Sequence, residues 1–138
     1  MNGLLLDTHV WIWLAEGIDQ RLTNAAIQEI DAAAARGALW ISVISVWELG
    51  LLEAKGRLRL NAPAQEWVRR ALDAPGLRLA GLDVETALAC NALPGDLHAD
   101  PADRILIATA RLLELSLATR DRQILAYSQA GFVRALAI

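Results

Sequence analysis

Cysteine is almost absent: Cys90 stands alone, so no disulfide can form within the chain, and a reducing compartment suits it. Lysine is nearly missing too; Lys55 is the single one, and every other strong base is an arginine. The formal net charge is −3, which excludes a generically basic nucleic-acid binder. It leaves room for a polyanion at a local patch, or at a site whose field a bound cation reverses. No uninterrupted apolar run reaches about 18 residues, so no membrane span is expected. No basic segment precedes the apolar N-terminal residues, which are therefore not expected to act as a secretory signal; a cytoplasmic location is expected. There is no Gly-rich phosphate loop, which argues against P-loop nucleotide hydrolysis. No Ser-His-Asp or Cys-His arrangement is evident. Internal repeats, low-complexity tracts and linkers are lacking as well.

What remains is rich in apolar residues. The 138 residues are 55% hydrophobic, enough for a single domain over 1–138 with one sizeable core. Leu and Ala dominate, so helix should exceed strand. Gly3-Leu4-Leu5-Leu6 reads as a short strand buried on both faces, as in a parallel sheet, and it runs directly into Asp7. Further strands are predicted at Leu39-Trp40-Ile41, Leu77-Arg78-Leu79-Ala80, Leu115 to Thr119 and, weakly, Gly131-Phe132-Val133. Helices are predicted between them. One starts near Val10 and ends at Gly17. A second is capped by Thr23 and closed by Gly37, and a third is capped by Ser42 and ended by Gly56-Arg57. Pro63 opens a fourth with Trp67, Val68, Ala71 and Leu72 on its apolar face. Asp83 or its neighbour caps a helix from Val84 to about Asn91. Asp100-Pro101 is a strong helix start, and Gln123 to Tyr127 forms the last helix. Strands alternating with helices imply a central parallel sheet flanked by helices. Trp11 and Trp13 cannot share a helix face, so at least one is partly exposed.

The acids repeat one structural description. Asp7 and Asp121 follow apolar strands, while Glu48 and Asp103 lie in the first or second turns of helices. Each has a plainer reading. Asp7 and Asp121 could cap the helices they precede, Asp103 could oppose a helix dipole, and Glu48 could snorkel to water. Yet Asp103 shares its helix face with Ile107 and Ala110, the buried side. In an open α/β sheet all of these positions face the C-terminal edge of the strands, where ligands bind. Carboxylates converging there would raise one another's pKa values, and a divalent cation removes that conflict. Oxygen ligands suit Mg²⁺ or Mn²⁺; zinc would want more than His9, His98 and a helical Cys90. Such a site commonly serves in-line attack on a phosphodiester. Trp47 or Trp11 offers a ring for a base, against core or dimer packing as the plainer role.

Four segments now occur in register over nearly the whole chain. They are Leu5-Leu6-Asp7-Thr8-His9, Ser42 to Glu48, His98 to Ala108, and Ala118-Thr119-Arg120-Asp121. In them the chain resembles PIN-domain ribonucleases, most of all the VapC toxins of VapBC toxin–antitoxin pairs. The resemblance implies a three-layer α/β/α sandwich with a central parallel sheet of four to five strands. It implies an endoribonuclease that hydrolyses RNA by metal-activated water, leaving a 5′-phosphate and a 3′-hydroxyl. It implies a cognate antitoxin that obstructs the site, and a homodimer. By position, Asp7, Glu48 and Asp103 would be metal ligands. Asp121 would be the fourth acid, Thr8 and Ser45 would orient the carboxylates, and Arg104 and His98 would be candidates for substrate contact. The chain departs from the family pattern at Ala99, Ala102 and Leu52, where relatives often carry a basic residue, an aromatic and a lysine. Two rivals stand beside this reading. A phosphohydrolase using Asp7 as nucleophile would want a second Asp where His9 stands, and a non-catalytic RNA- or protein-binding module would keep the acids without the activity.

Overall fold

A computed structural model describes residues 2–98 and 100–138, without the side chain of Asp19; Ala99, one of the departures above, lies outside the described residues. The five strands are β1 (Leu4–Leu6), β2 (Leu39–Ser42), β3 (Leu77–Ala80), β4 (Ser116–Thr119) and β5 (Arg134–Ala137). The helices are α1 (Thr8–Ala15), α2 (Asn24–Ala35), α3 (Val43–Ala54), α4 (Ala64–Leu72), α5 (Val84–Ala89), α6 (Pro101–Leu112) and α7 (Arg122–Gln129). All pairings are parallel and the strand order is β3-β2-β1-β4-β5. Among the described residues no helix is long and apolar enough to cross a membrane.

The side-chain period of a strand explains the layers. Leu4 and Leu6 join Leu39, Ile41 and Ala118 on one face, under Trp11, Ile30 and Trp67 from α1, α2 and α4. Leu5 and Leu117 point the other way, onto Leu106, Ile107, Ile124 and Tyr127 from α6 and α7. β1 therefore reads as an unbroken apolar run because both of its faces are covered.

The order of the strands fixes where a site can form. The chain steps outward from β1 to β2 and β3, then returns to the other side of β1 to lay down β4 and β5. The β1/β4 boundary is thus the topological switch point, and the crevice beyond the carboxyl ends of these two strands is where open α/β sheets bind ligands. The pairing Leu6↔Ala118 closes this boundary, and the Asp7 N–H continues it by donating to the Ala118 carbonyl at 3.0 Å.

Two local expectations shift. The last strand is Arg134–Ala137, not residues 131–133. Gly131, at φ 91°, turns the chain after α7, and Phe132 and Val133 pack into the core before pairing with β4 begins. Helix α5 stops at Ala89, which makes Cys90 its C-cap, with the thiol donating to the Ala87 carbonyl at 3.2 Å. The tryptophans split as expected: Trp11 is buried edge-on against Trp67 at 5.2 Å, and Trp13 is partly exposed. A base cannot reach Trp11, which is 2% exposed.

Leu117 is completely buried at the centre of the sheet. Leu117→Ala is expected to lower unfolding stability by about 2–5 kcal/mol, the cost of a core leucine plus its cavity. Urea denaturation measures this as a lower midpoint with an unchanged slope. A midpoint equal to that of the parent would refute the packing described.

Candidate metal centre

Each acid reaches the crevice by a local device. Asp7 leaves β1 with extended backbone and caps α1, accepting the Thr8 N–H on Oδ1 at 2.8 Å. Asp121 caps α7, its Oδ1 accepting from the backbone of Gln123 at 2.8 Å and Ile124 at 3.1 Å. Asp100 caps α6, with Pro101 at the first helical position, and accepts from the backbone of Ala102 at 2.9 Å and Asp103 at 3.3 Å. Asp103 follows in the first turn of α6, on the side of Ile107 and Ala110. Glu48 sits in the second turn of α3, half-buried above β2. The cap readings of Asp7 and Asp121 are thus correct without displacing the acids from the crevice. Capping uses Oδ1 in both residues.

Thr119 was not singled out in the sequence. The last residue of β4 and fully buried, it donates its hydroxyl to Asp7 Oδ2 at 2.6 Å and accepts the Asp121 N–H on the same oxygen at 2.9 Å. One hydroxyl therefore spans the switch point and ties two acids together. A buried hydroxyl requires partners, and a threonine ending an apolar strand just before Arg120-Asp121 was the available signal. Thr8 and Ser45 form a second link: the Thr8 hydroxyl donates to Ser45 Oγ at 2.8 Å, with both residues fully buried, which pins α1 to α3.

His98 and Arg104 take distinct places. His98 Nε2 lies 2.7 Å from Asp103 Oδ2, while its Nδ1 is buried with no hydrogen-bond partner among the described residues. Arg104 donates Nε to the Cys90 carbonyl at 2.9 Å, and Nη1 to the carbonyls of Leu97 and His98 at 3.3 Å each. It holds the segment that presents His98.

The electrostatics are those of crowded carboxylates. Burial pushes the Asp103 carboxyl up to about 6; the bond from His98 opposes this, and the charges of Asp100, Asp7 and Asp121 add to it. Burial also raises Asp7 and Glu48. Hydrogen bonds from the Thr119 hydroxyl and the Thr8 N–H pull Asp7 back, and the nearby Thr8 side chain opposes the rise at Glu48, while Asp121 repels Asp7, and Asp7 and Asp100 repel Glu48. Ligand atoms of His98, Asp100 and Asp103 lie within 4.8 Å of one another, close enough for one ion. Asp7, Glu48 and Asp121 belong to no group that tight among the described residues; their link to it is through space. The carboxylate oxygens of Asp7, Glu48, Asp103 and Asp121 are the donor type that suits a Mg²⁺- or Mn²⁺-type ion.

This fold and acidic crevice are those of a known class. A family model for the PIN domain matches residues 4–129, and the chain belongs to that family. It is 37% identical over 125 residues to Ribonuclease VapC22 of Mycobacterium tuberculosis, covering 90% of this chain and 91% of that protein, which makes it a VapC-type member. In fold it is similar to VapBC2 from Rickettsia felis, solved bound to a promoter DNA fragment, with TM-score 0.69, 12% identity and 97% of each chain covered. It is also similar to a toxin–antitoxin complex from Klebsiella pneumoniae, with TM-score 0.59, 23% identity, and 88% of this chain and 90% of that one covered.

An acid whose pKa rises on folding disfavours the fold when ionised. For Asp103 that penalty is absent below its ordinary value of 3.8 and complete above about 6. In EDTA, Asp103→Asn is therefore expected to melt above the parent protein at neutral pH, with the gap closing as pH falls from 7 to 4. Thermal melts of both proteins across that range check this; a gap independent of pH contradicts it.

Proposed function

We propose that the chain is a Mg²⁺- or Mn²⁺-dependent endoribonuclease, the toxin of a toxin–antitoxin pair, acting in the cytoplasm as a homodimer. The observation that carries this reading is the partial burial of Asp7, Glu48 and Asp103, whose carboxyls are raised first by that burial and further by the charges of neighbouring acids, Asp121 among them for Asp7 and Asp103. Asp7, Glu48, Asp103 and Asp121 would hold the cation, directly or through water. Bound there, it activates a water and offsets charge on the scissile phosphodiester.

The chain's own residues do the rest. Thr119 fixes Asp7 so that Oδ2 keeps one orientation, and it draws the backbone of Asp121 to the same point. Thr8 and Ser45 set α1 against α3, and with it the spacing of Asp7 and Glu48. His98 holds Asp103 in place, and Arg104 steadies the backbone of that segment. A shallow cleft of this kind takes a single or splayed RNA strand. A cognate antitoxin partner is supported by the similarity to a toxin–antitoxin complex.

Asp7→Asn is expected to reduce RNA cleavage with Mn²⁺ at least about 100-fold while melting in EDTA at neutral pH no lower than the parent, since Asn can still cap α1 and the buried carboxylate is removed. Gel assays of RNA cleavage and calorimetric titration with Mn²⁺ read the two effects. Full cleavage by the variant rejects the assignment, and phosphatase turnover without RNA cleavage in the parent supports the phosphohydrolase instead.

A further inference from the structure

Beside the acids lies a cavity of about 180 Å³ lined by Asp7, His9, Val10, Trp13, Arg120 and Asp121. Its lining sets one base, Arg120, and His9 beside two carboxylates. The Arg120 guanidinium carbon lies 4.8 Å from the centre of the Trp13 ring, and that of Arg21 lies 5.4 Å from the same centre. His9 is exposed beside them, its ring 6.1 Å from that of Trp13. Arg120 is further anchored by donating Nε to the Ile138 carbonyl at 3.3 Å and Nη2 to the carbonyl of Arg21. Bringing two guanidinium groups to one indole concentrates positive charge that the ring only partly offsets.

We infer that Arg120, Arg21 and His9, arranged on Trp13, form a phosphate-binding subsite for the RNA strand next to the scissile bond. The inference rests on the ribonuclease reading and extends it to how substrate is held. A chain of net charge −3 must hold a polyanion against its own acids. This cavity divides the task between acids that would hold a cation and the bases on Trp13 that would hold a phosphate. The indole acts as a platform that aligns the guanidinium groups, so Trp13 is a positioning residue. Recognition is of the phosphodiester and carries no base preference.

The test is anisotropy of a fluorescent single-stranded RNA with the full chain in EDTA, over a range of salt, alongside cleavage kinetics with Mn²⁺. Arg21 is exposed, so Arg21→Gln should leave the melting temperature unchanged. It is expected to weaken binding several-fold, equally for unrelated sequences, and to reduce the slope of log affinity against log salt by about 0.7. Arg21→Lys should restore the slope. Trp13→Leu, though it removes no charge, should weaken binding and raise KM more than it lowers kcat. A parent protein that cleaves RNA while Arg21→Gln and Trp13→Leu match it in affinity, salt slope and KM overturns the subsite alone. A parent that neither binds nor cleaves RNA overturns the ribonuclease reading and the subsite with it.

Discussion

Carboxylates that repel one another are brought to one edge of the sheet by strand order. Asp7 follows β1 and Asp121 follows β4, and those strands are neighbours although more than a hundred residues of chain separate them. The parallel pairing of β1 with β4 supplies the force that opposes the repulsion, through backbone hydrogen bonds and the burial of Leu5, Leu6 and Leu117. The Thr119 hydroxyl then converts proximity into a fixed geometry by serving Asp7 and Asp121 at once. Remove the pairing and the acids have no reason to meet.

The same argument explains why the two hydrophobic layers matter to chemistry. Helices α1 and α3 cover one face of the sheet and α6 and α7 the other, so acids at helix starts approach the crevice from both sides. Partial burial raises the proton affinity of Asp7, Glu48 and Asp103 because water no longer solvates the charge. A cation bound there would restore the ionised state and convert an unfavourable arrangement into a binding site. Stability and the affinity for such a cation would then be linked quantities.

Much of this was legible in the sequence, for identifiable reasons. Apolar strands ending in acids announced Asp7 and Asp121, and Asp100-Pro101 announced α6, because strand burial and helix capping are local properties. The helical period placed Asp103 on the inward face. Long-range contacts were not legible. Nothing local told that the hydroxyl of Thr119 would reach Asp7, that Arg104 would be spent on three carbonyls, or that Trp13 would gather Arg21 and Arg120. The last strand was misplaced because Phe132 and Val133 have strand-like side chains but are used for packing after a glycine turn. Side chains whose partners lie far along the chain emerge only once the sheet is assembled.

The most direct test of the proposed shared cation site is anomalous diffraction from crystals soaked in Mn²⁺. The manganese peak is expected within coordination distance of both Asp7 and Asp103. A peak held by His98, Asp100 and Asp103 with Asp7 remote from it, or no peak at saturating Mn²⁺, would contradict the claim that the two sides of the switch point share one ion.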